Sequence, residues 1–398
     1  MTSSTKIRRT IAFPIALLHM IYLDNSATTQ LHPEVFEAMQ PWLRDLYGNA
    51  SSAHGVGRRA RVAIEQAREE VAAALHAHPA EFIFTSGGTE SNNTVIKSCT
   101  GESALADRIA CSSVEHHAVL EPAEDCARRG IACATIRVDA HGGIVHDDVA
   151  AQNTPRTLVS VMHINNETGR VFDIAALRAL VPDALFHTDA VQSFTKVPLN
   201  ATALGVDFLT VSAHKIHGPQ GIGGLFIRKG IDFKAHQHGG GQERNRRAGT
   251  ESVPLIVGFQ HAVRIALREM EHTAAHCREL VGMLREGITE NIPHIRWNTP
   301  DDPALSAPHI LNVSFTDAAS LDGDAILQLM DLRGIACSNG SACVSGTMQP
   351  SHVLMAMGRT TAESRAAVRF SVCRTTTKSD VLAAITALTA ILQELRHS

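Results

Sequence analysis

Short apolar runs alternate with amphipathic stretches along most of the chain. The runs RIACS, TIRV, TLVSVMHI, LFHTD, DFLTVS and LFIR predict buried strands. Between them lie stretches with helical periodicity, such as AVLEPAEDCARRG and DIAALRALV. Strands that alternate with helices indicate βαβ units, hence an α/β fold with a mostly parallel sheet covered by helices. Ligands bind such sheets at the carboxyl ends of the strands.

The pattern changes after about Pro254, where one long helical run leads into shorter strands and helices. With 398 residues the chain is too long for one small core. We therefore expect a large domain over residues 33–260. A smaller α+β domain is expected to combine residues 20–32 with residues 261–398.

Charge and cysteine usage narrow the possible partners. A formal charge of −4 gives no basic surface for nucleic acid, and we expect neither nucleic acid nor membrane as a partner. The eight cysteines form no CxxC pair, which predicts reduced thiols in the cytoplasm. The 22 histidines occur in no HExxH or zinc-like pattern, so no metal is expected.

The segment DFLTVSAHKIHGPQGIGG places Lys215 in a turn directly after a predicted strand. On its own such a lysine is an ordinary surface residue. The motif HTDAVQ changes this interpretation because Asp189 also follows an apolar strand. Pyridoxal phosphate needs such a pair: the lysine forms a Schiff base with it, and the carboxylate keeps the pyridine nitrogen protonated.

Other polar residues at strand ends complete a candidate cofactor pocket. Gly88 and Thr89 begin a helix whose amides suit a phosphate, although a simply capped helix is an equal alternative. His116 either lies over the cofactor ring or only caps the following helix. The remaining candidates are polar groups for the phosphate (Thr89, Ser212 and His214), for the phenolic oxygen (Gln192 and Asn166) and for a substrate carboxylate (Asn166, Arg369 or Arg374).

Cys343 lies in a stretch rich in Ser, Gly and Thr, which predicts an exposed, mobile loop with an accessible thiolate. Cys111 and Cys133 have apolar neighbours and are expected to be inert core residues.

Seven motifs in one order, from about Ile21 to the C-terminus, resemble those of the NifS/IscS-like cysteine desulfurases of the class V aminotransferase group. They are SGGTESNN, EHHAVL, NNETG, HTDAVQ, SAHKIHGPQGIGG, RAGTES and NGSAC. The resemblance implies the type I fold of pyridoxal phosphate enzymes and conversion of L-cysteine to L-alanine. It implies the same cofactor roles residue by residue and favours Arg369 for the substrate carboxylate.

In the mechanism that the resemblance implies, Lys215 takes the substrate Cα proton and the thiolate of Cys343 attacks the substrate sulfur. The resulting persulfide passes to an acceptor protein that serves iron–sulfur cluster assembly or tRNA thiolation. The counterpart of Thr250 reaches the phosphate of the neighbouring subunit, which implies a homodimer with shared sites. Chains of this family commonly begin near Met20, so residues 1–19 are expected to be an extension that is not translated.

The chain departs from the family pattern around the predicted nucleophile. Asn339 replaces the usual serine, Cys337 is an additional thiol, and Cys373 stands where glycine is more usual. These departures leave the acceptor and the redox behaviour open, including a disulfide between Cys337 and Cys343. Two other functions remain: a related lyase acting on selenocysteine or on the cysteine C–S bond, or a catalytically silent dimeric scaffold.

Overall fold

The computed structural model describes residues 20–101, 103–340 and 349–397. The predicted nucleophile Cys343 and the N-terminal extension 1–19 lie outside the described residues. The strands are Ile21–Tyr22 (β1), Phe82–Thr85 (β2), Arg108–Ser112 (β3), Ala132–Ile136 (β4), Thr157–Ser160 (β5), Leu185–Asp189 (β6), Phe208–Ser212 (β7), Gly223–Ile227 (β8), Ile295–Trp297 (β9), Ile310–Phe315 (β10), Ile335–Ala336 (β11) and Val368–Ser371 (β12).

The helices are Pro33–Arg44 (α1), Gly55–Ala74 (α2), Gly88–Thr100 (α3), His117–Arg128 (α4), His146–Ala150 (α5), Ile174–Ala179 (α6), Ala201–Leu204 (α7), Gln242–Asn245 (α8), Val253–Asn291 (α9), Gly323–Leu332 (α10), His352–Ala356 (α11), Thr361–Arg365 (α12) and Lys378–Arg396 (α13). None of them, within the described ranges, combines the length and the apolar character that crossing a bilayer requires.

A seven-stranded sheet forms the largest layer of the molecule, with strand order β2-β8-β7-β6-β5-β3-β4. Strands β7, β6, β5, β3 and β4 run parallel to one another, and β8 is antiparallel to both β7 and β2. This arrangement confirms the α/β fold with a mostly parallel sheet.

Apart from the edge strand β4, both faces of this sheet are buried, which explains why its strands are continuous apolar runs rather than alternating ones. Successive side chains point to opposite faces. Phe84 and Leu209 contribute to one hydrophobic cluster, which includes α2 and the start of α9. Their neighbours Ile83 and Phe208 contribute to another cluster, which includes α3 and α4.

Strand β4 is the edge of the sheet, and this position corrects one prediction. Cys111 on β3 is buried, as expected, but Cys133 on β4 is exposed. The apolar neighbours of Cys133 in sequence predicted burial, but an edge strand has a neighbour on one side only, and most of β4 is exposed.

Two smaller sheets pack around a separate hydrophobic cluster. Strands β12, β10 and β9 form an antiparallel sheet, and β1 pairs with β11 in parallel. The cluster combines this antiparallel sheet with α13 and with the second half of α9. Helix α9, 39 residues long, therefore joins the two packing regions. It crosses the expected boundary at residues 260 and 261, and the division into domains stays a prediction.

A buried ion pair connects α2 with α8 beside the edge strand β2. The guanidinium of Arg68 is almost fully buried and donates to Glu243, with an Nη2–Oε1 distance of 3.0 Å. Glu243 also accepts from the backbone N–H of Phe84 at 2.9 Å. Glu65 is a second partner of Arg68, at 3.3 Å, but its side chain is 45% exposed. The two carboxylates thus contact the same guanidinium from very different environments.

We expect Glu243→Gln to destabilise the protein by about 3–5 kcal/mol, because it removes the buried counter-charge of Arg68 and leaves only the solvated carboxylate of Glu65. Glu65→Gln is the matched control and should cost less than about 1 kcal/mol, since that carboxylate is solvated. Thermal and urea unfolding of the two variants measure the difference. Equal effects would contradict this account of the buried pair.

Candidate active site

A cavity of about 480 Å³ lies at the carboxyl ends of the central strands. Its size is typical of a small-molecule site. It brings together ten of the thirteen residues that the sequence nominated: Gly88, Thr89, His116, Asn166, Asp189, Gln192, Ser212, His214, Lys215 and Arg369. Thr250 lies elsewhere and is exposed, and Cys343 is outside the described residues.

Lys215 reaches this cavity because a short 3₁₀ turn, Ala213–Lys215, follows directly on β7. Its ammonium donates to the backbone carbonyls of Ser26 and Ala27, at 2.6 Å from the oxygen of Ser26. The pKa of Lys215 is lowered to about 8, mainly by burial and also by the charge of Arg369. Asp24 and Asp189 oppose this shift. A larger fraction of this amine is therefore neutral near pH 7 than of an ordinary lysine.

Asp189 is the last residue of β6, and both of its carboxylate oxygens are held. Oδ1 accepts from the N–H of Val191 at 2.9 Å, and Oδ2 accepts from the side-chain amide of Asn92 at 2.7 Å. These hydrogen bonds fix the direction of the carboxylate. The side-chain oxygen of Asn92 is buried without a hydrogen-bond partner among the described residues.

His116 caps a helix and also lines the cavity. Its Nδ1 accepts a hydrogen bond from the N–H of Ala118 at 3.0 Å, which caps α4. The ring also lines the cavity, so the cap fixes the orientation that the ring presents there. Burial lowers the pKa of His116 and Lys215 lowers it further, although Asp189 opposes the shift, so the imidazole is neutral at pH 7.

One end of the cavity has the character of an anion site. The N-terminus of α3 points there, and the hydroxyl of Ser212 is buried and has no hydrogen-bond partner among the described residues. Gly87 adopts a φ of 152°, and a Cβ on Gly223 would lie 2.7 Å from the Cα of Gly87. These two glycines permit the close packing of the turn before α3 against β8.

His214 lies beside the anion site and hydrogen-bonds through Nδ1 to the hydroxyl of Thr28 at 3.1 Å. Burial lowers the pKa of His214 to about 4, with Lys215 and Lys196 adding to the effect. The ring is therefore neutral and contributes hydrogen bonds rather than charge.

The amide of Gln192 is anchored from both sides. Its Nε2 donates to the carbonyl of Ser26 at 2.9 Å, and its Oε1 accepts from the ammonium of Lys196 at 3.2 Å. Burial lowers the pKa of Lys196 to about 7, and Lys215 contributes to this effect. These two contacts show which end of the Gln192 side-chain amide is the nitrogen and which is the oxygen.

Arg369 on β12 is the guanidinium that lines the cavity. It donates to Asp24 at 2.6 Å and to the carbonyl of Asn166 at 2.7 Å, and its Nε is buried without a partner among the described residues. Arg374 instead pairs with Glu269 at 2.9 Å and does not line this cavity. The structure thus separates two arginines that the sequence could not rank without the resemblance.

Several lining residues were missed by sequence reasoning, namely Asp24, Ser26, Asn92, Glu167 and His352. Asp24 and Ser26 lie in LDNSATT and Asn92 in SGGTESNN, so the motifs contained them. Nothing in the local pattern marked them as site residues, because their role comes from contacts with residues far away in the chain.

These groups fit pyridoxal phosphate. A helix N-terminus and the unpaired hydroxyl of Ser212 suit the phosphate, Asp189 suits the pyridine nitrogen, and the amine of Lys215 suits the aldehyde. The side-chain oxygen of Asn92 and Nε of Arg369 are further polar groups of residues in the same cavity, and neither has a hydrogen-bond partner among the described residues.

Known proteins resemble this chain over most of its length. A cysteine desulfurase IscS of Dictyoglomus turgidum is 42% identical over 380 residues, covering 94% of this chain and 95% of the relative. A cysteine desulfurase of Bradyrhizobium diazoefficiens is 42% identical over 382 residues, covering 95% and 96%.

Solved structures also resemble this chain over most of its length. A NifS-like protein superposes with a TM-score of 0.86 at 35% identity, covering 94% of this chain and all of that one. SspA, in a complex with cysteine, has a TM-score of 0.76 at 34% identity, covering 88% and 98%. The model of the class-V aminotransferase family matches residues 21–383, and the chain therefore belongs to that family.

Proposed function

We propose that this protein is a cysteine desulfurase that converts L-cysteine to L-alanine and carries the sulfur as a persulfide on Cys343. The observation that carries the proposal is the single cavity in which Lys215, Asp189 and Arg369 converge. A scaffold without activity has no need of a lysine with a lowered pKa beside a carboxylate and a guanidinium. The desulfurase names of the relatives support the same activity.

Relatives in this family are enzymes that depend on pyridoxal phosphate, which supplies an electron sink when it is bound. Asp189 would hold the pyridine nitrogen, and its bond to Asn92 keeps the carboxylate in place. Gly88, Thr89, Ser212 and His214 would hold the phosphate. His116 would lie against the ring, and Gln192 would hydrogen-bond the phenolic oxygen. Thr250 would reach the phosphate of the partner subunit.

The substrate carboxylate would bind to Arg369 with help from Asn166. A guanidinium can grip a carboxylate through two parallel hydrogen bonds. Arg369 is held in place by Asp24 and by the carbonyl of Asn166, and its Nε is still unpaired. The amino acid is thereby oriented with its α-carbon toward Lys215.

Lys215 is the group that moves the proton. Its amine must be neutral to accept the Cα proton of the substrate at Nζ, and its pKa of about 8 allows this near neutral pH. The carbonyl oxygens of Ser26 and Ala27 then stabilise the ammonium that forms. Release of that proton to the product returns the lysine to its starting state.

Cys343 is the proposed nucleophile, and chain length limits how far it can lie from the cavity. It follows three residues after Gly340, which lines the cavity, so their Cα atoms are within about 11 Å. His352, after the same segment, lines the cavity as well. The thiolate attacks the substrate sulfur, the S–S bond forms as the C–S bond breaks, and the carbon skeleton leaves as alanine.

The proposal includes a homodimer with shared sites, an acceptor protein for the persulfide and a cytoplasmic location. The exposure of Thr250, away from the cavity of its own chain, supports the dimer. The seven described cysteines form no disulfide, which supports a reducing compartment.

Cys343→Ala should lower alanine formation from L-cysteine at least about 100-fold, without added reductant, because it removes the attacking thiolate. The visible absorption of the bound cofactor should persist. Cys337→Ala is the control and should retain activity, since burial raises the pKa of that thiol to about 12. Wild-type activity in Cys343→Ala, or pyruvate and sulfide as products, would instead indicate a C–S lyase.

The rate at which the apoprotein develops the visible cofactor band should rise with pH through about 8, because only the neutral amine of Lys215 reacts. At pH 7 a lysine with this pKa is about one tenth neutral, compared with about 0.04% for an ordinary lysine. Asp24→Asn should move the midpoint lower, since Asp24 raises this pKa, and Asp45→Asn should not move it. A rate that is still rising at pH 10 would contradict the assignment.

Shared sites can be tested with mixed dimers made from differently tagged chains. A dimer with Lys215→Ala on one chain and Thr250→Ala on the other should retain about half of the wild-type activity, because one site keeps both residues. The second mixed dimer combines a wild-type chain with a chain that carries both Lys215→Ala and Thr250→Ala. Its only site with a lysine would lack Thr250, so its activity should be that of a site without Thr250. The opposite ranking would place Thr250 in the site of its own chain.

A further inference from the structure

A second, smaller cavity of about 70 Å³ adjoins the candidate active site, and Lys215 lines both. Its walls include apolar side chains of α9, such as Ile265 and Met270, and the thiols of Cys277 and Cys373. Nothing in the proposed desulfurase reaction uses this cavity.

His217, which lines this cavity, is held in a fixed orientation. Its backbone N–H donates to the hydroxyl of Thr29 at 2.7 Å, and its ring Nδ1 lies 2.8 Å from the carbonyl oxygen of Gln30. A carbonyl only accepts, so Nδ1 carries a proton, and Nε2 is left as the nitrogen that can take up the proton of a neighbouring thiol and then donate to the thiolate. His217 also adopts a φ of 60°, which non-glycine residues rarely do and which often marks functional positions.

Cys373 follows β12 by two residues and its side chain is partly buried. Its sulfur lies 3.2 Å from the hydroxyl of Thr375 and 3.9 Å from that of Thr376. The imidazole of His217 lines the same cavity and lowers the pKa of the thiol. A thiol beside an imidazole that a third group orients is the arrangement of an activated nucleophile.

The thiols of this chain differ sharply in their ionisation. Burial raises the pKa of the Cys373 thiol, but hydrogen bonds from His217 and Thr375 more than offset this and bring it to about 6. Burial instead raises the pKa of Cys277 in the same cavity to about 12. Burial also raises the pKa of Cys133, although that residue is exposed.

A further polar group in the cavity wall lacks a partner. His309 is 4% exposed and lines the cavity, and its Nδ1 has no hydrogen-bond partner in the described part of the chain. Its Nε2 lies 3.1 Å from the ammonium of Lys196. The residues of the cavity wall therefore include one ring nitrogen that can accept or donate a hydrogen bond, in addition to apolar side chains.

We propose that Cys373 and His217 form a second nucleophilic site, which takes small sulfur electrophiles such as low-molecular-weight disulfides and thiosulfonates. The thiolate attacks one sulfur of the reagent, the Cys373–S bond forms, and the S–S bond of the reagent breaks. The Cys373 sulfur is oxidised to a mixed disulfide, and the departing fragment leaves with the electron pair as a thiolate or sulfinate. The small volume of the cavity selects for a group of about the size of methylthio.

Methyl methanethiosulfonate, which transfers one methylthio group, is the probe. The full-length protein with bound cofactor carries Cys343→Ala, so that Cys343 does not compete for the reagent. It is treated at pH 6, and labelling of each cysteine is followed by peptide mass spectrometry. Cys133 is the internal control because it is more exposed but has no imidazole neighbour.

The expected ratio of the labelling rates at Cys373 and Cys133 depends on the thiolate fraction and on the nucleophilicity of each thiolate. At pH 6 a thiol with a pKa of about 6 is about half ionised, against about 0.3% for an ordinary thiol, a ratio of about 150. The weaker nucleophilicity of the more acidic thiolate reduces this by a factor of about 10–20. Cys373 should thus react about tenfold faster than Cys133, and an equal or slower rate would overturn the proposal.

His217→Asn isolates the role of the imidazole. Asparagine tolerates the left-handed backbone and can still donate to the carbonyl of Gln30, but it lacks the Nε2 that faces the thiol. In the same Cys343→Ala background, the rate at Cys373 should fall about tenfold and the rate at Cys133 should not change. An unchanged ratio would overturn the pairing.

The pH dependence gives a second test that needs no change at His217. Labelling of Cys373 should level off above about pH 7, whereas that of Cys133 should continue to rise beyond pH 9. The titratable and charged groups around the cavity are Lys196, Lys215, His32, His217, His309, Cys277, Glu269 and Arg374, with Tyr22 nearby. Parallel profiles for the two cysteines would overturn the proposal.

Discussion

The placement of the Lys215 ammonium is the constraint on which the rest of the site depends. The amine is removed from much of its water and lies close to the guanidinium of Arg369, so its charged form is disfavoured. The backbone carbonyls of Ser26 and Ala27 accept its hydrogen bonds without neutralising it. The same burial also affects Lys196 and His214, whose pKa values fall as well. Lys215 therefore has basic neighbours whose charged forms are disfavoured as well, which suits proton transfer at neutral pH.

The polar contacts that hold this arrangement come from distant parts of the chain. The entry segment after β1 contributes the carbonyl of Ser26, which accepts from both Lys215 and Gln192. Asp24 in the same segment binds Arg369 and accepts from the hydroxyl of Ser338, just before the segment that contains Cys343. One short stretch thus connects Lys215, Arg369 and the residues just before the segment that contains Cys343. A disturbance there should affect substrate binding and proton transfer together.

Two cavities meet at Lys215, and they differ in character. The larger one contains a helix N-terminus, a carboxylate and unpaired polar atoms, as a charged cofactor requires. The smaller one is mostly apolar and contains two thiols with opposite pKa shifts. The difference between Cys277 and Cys373 comes from their hydrogen-bond partners, because both are largely shielded from water. Hydrogen bonding to the thiolate is thus sufficient to outweigh burial.

The sequence by itself determined the elements and the chemistry of this protein. Apolar runs that alternate with helical periodicity predicted the parallel sheet, and polar residues directly after those runs, such as Asp189 and Lys215, predicted its ligand-binding edge, since local pattern encodes both. Only the tertiary structure decided which of Arg369 and Arg374 faces the cavity, that Cys133 is exposed on an edge strand, and that Asp24, Ser26 and Asn92 belong to the site. The pairing of Cys373 with His217, 156 positions apart in the chain, was also invisible in sequence. These features depend on contacts between distant segments, and the free energy of burial at each position follows from those contacts rather than from its sequence neighbours.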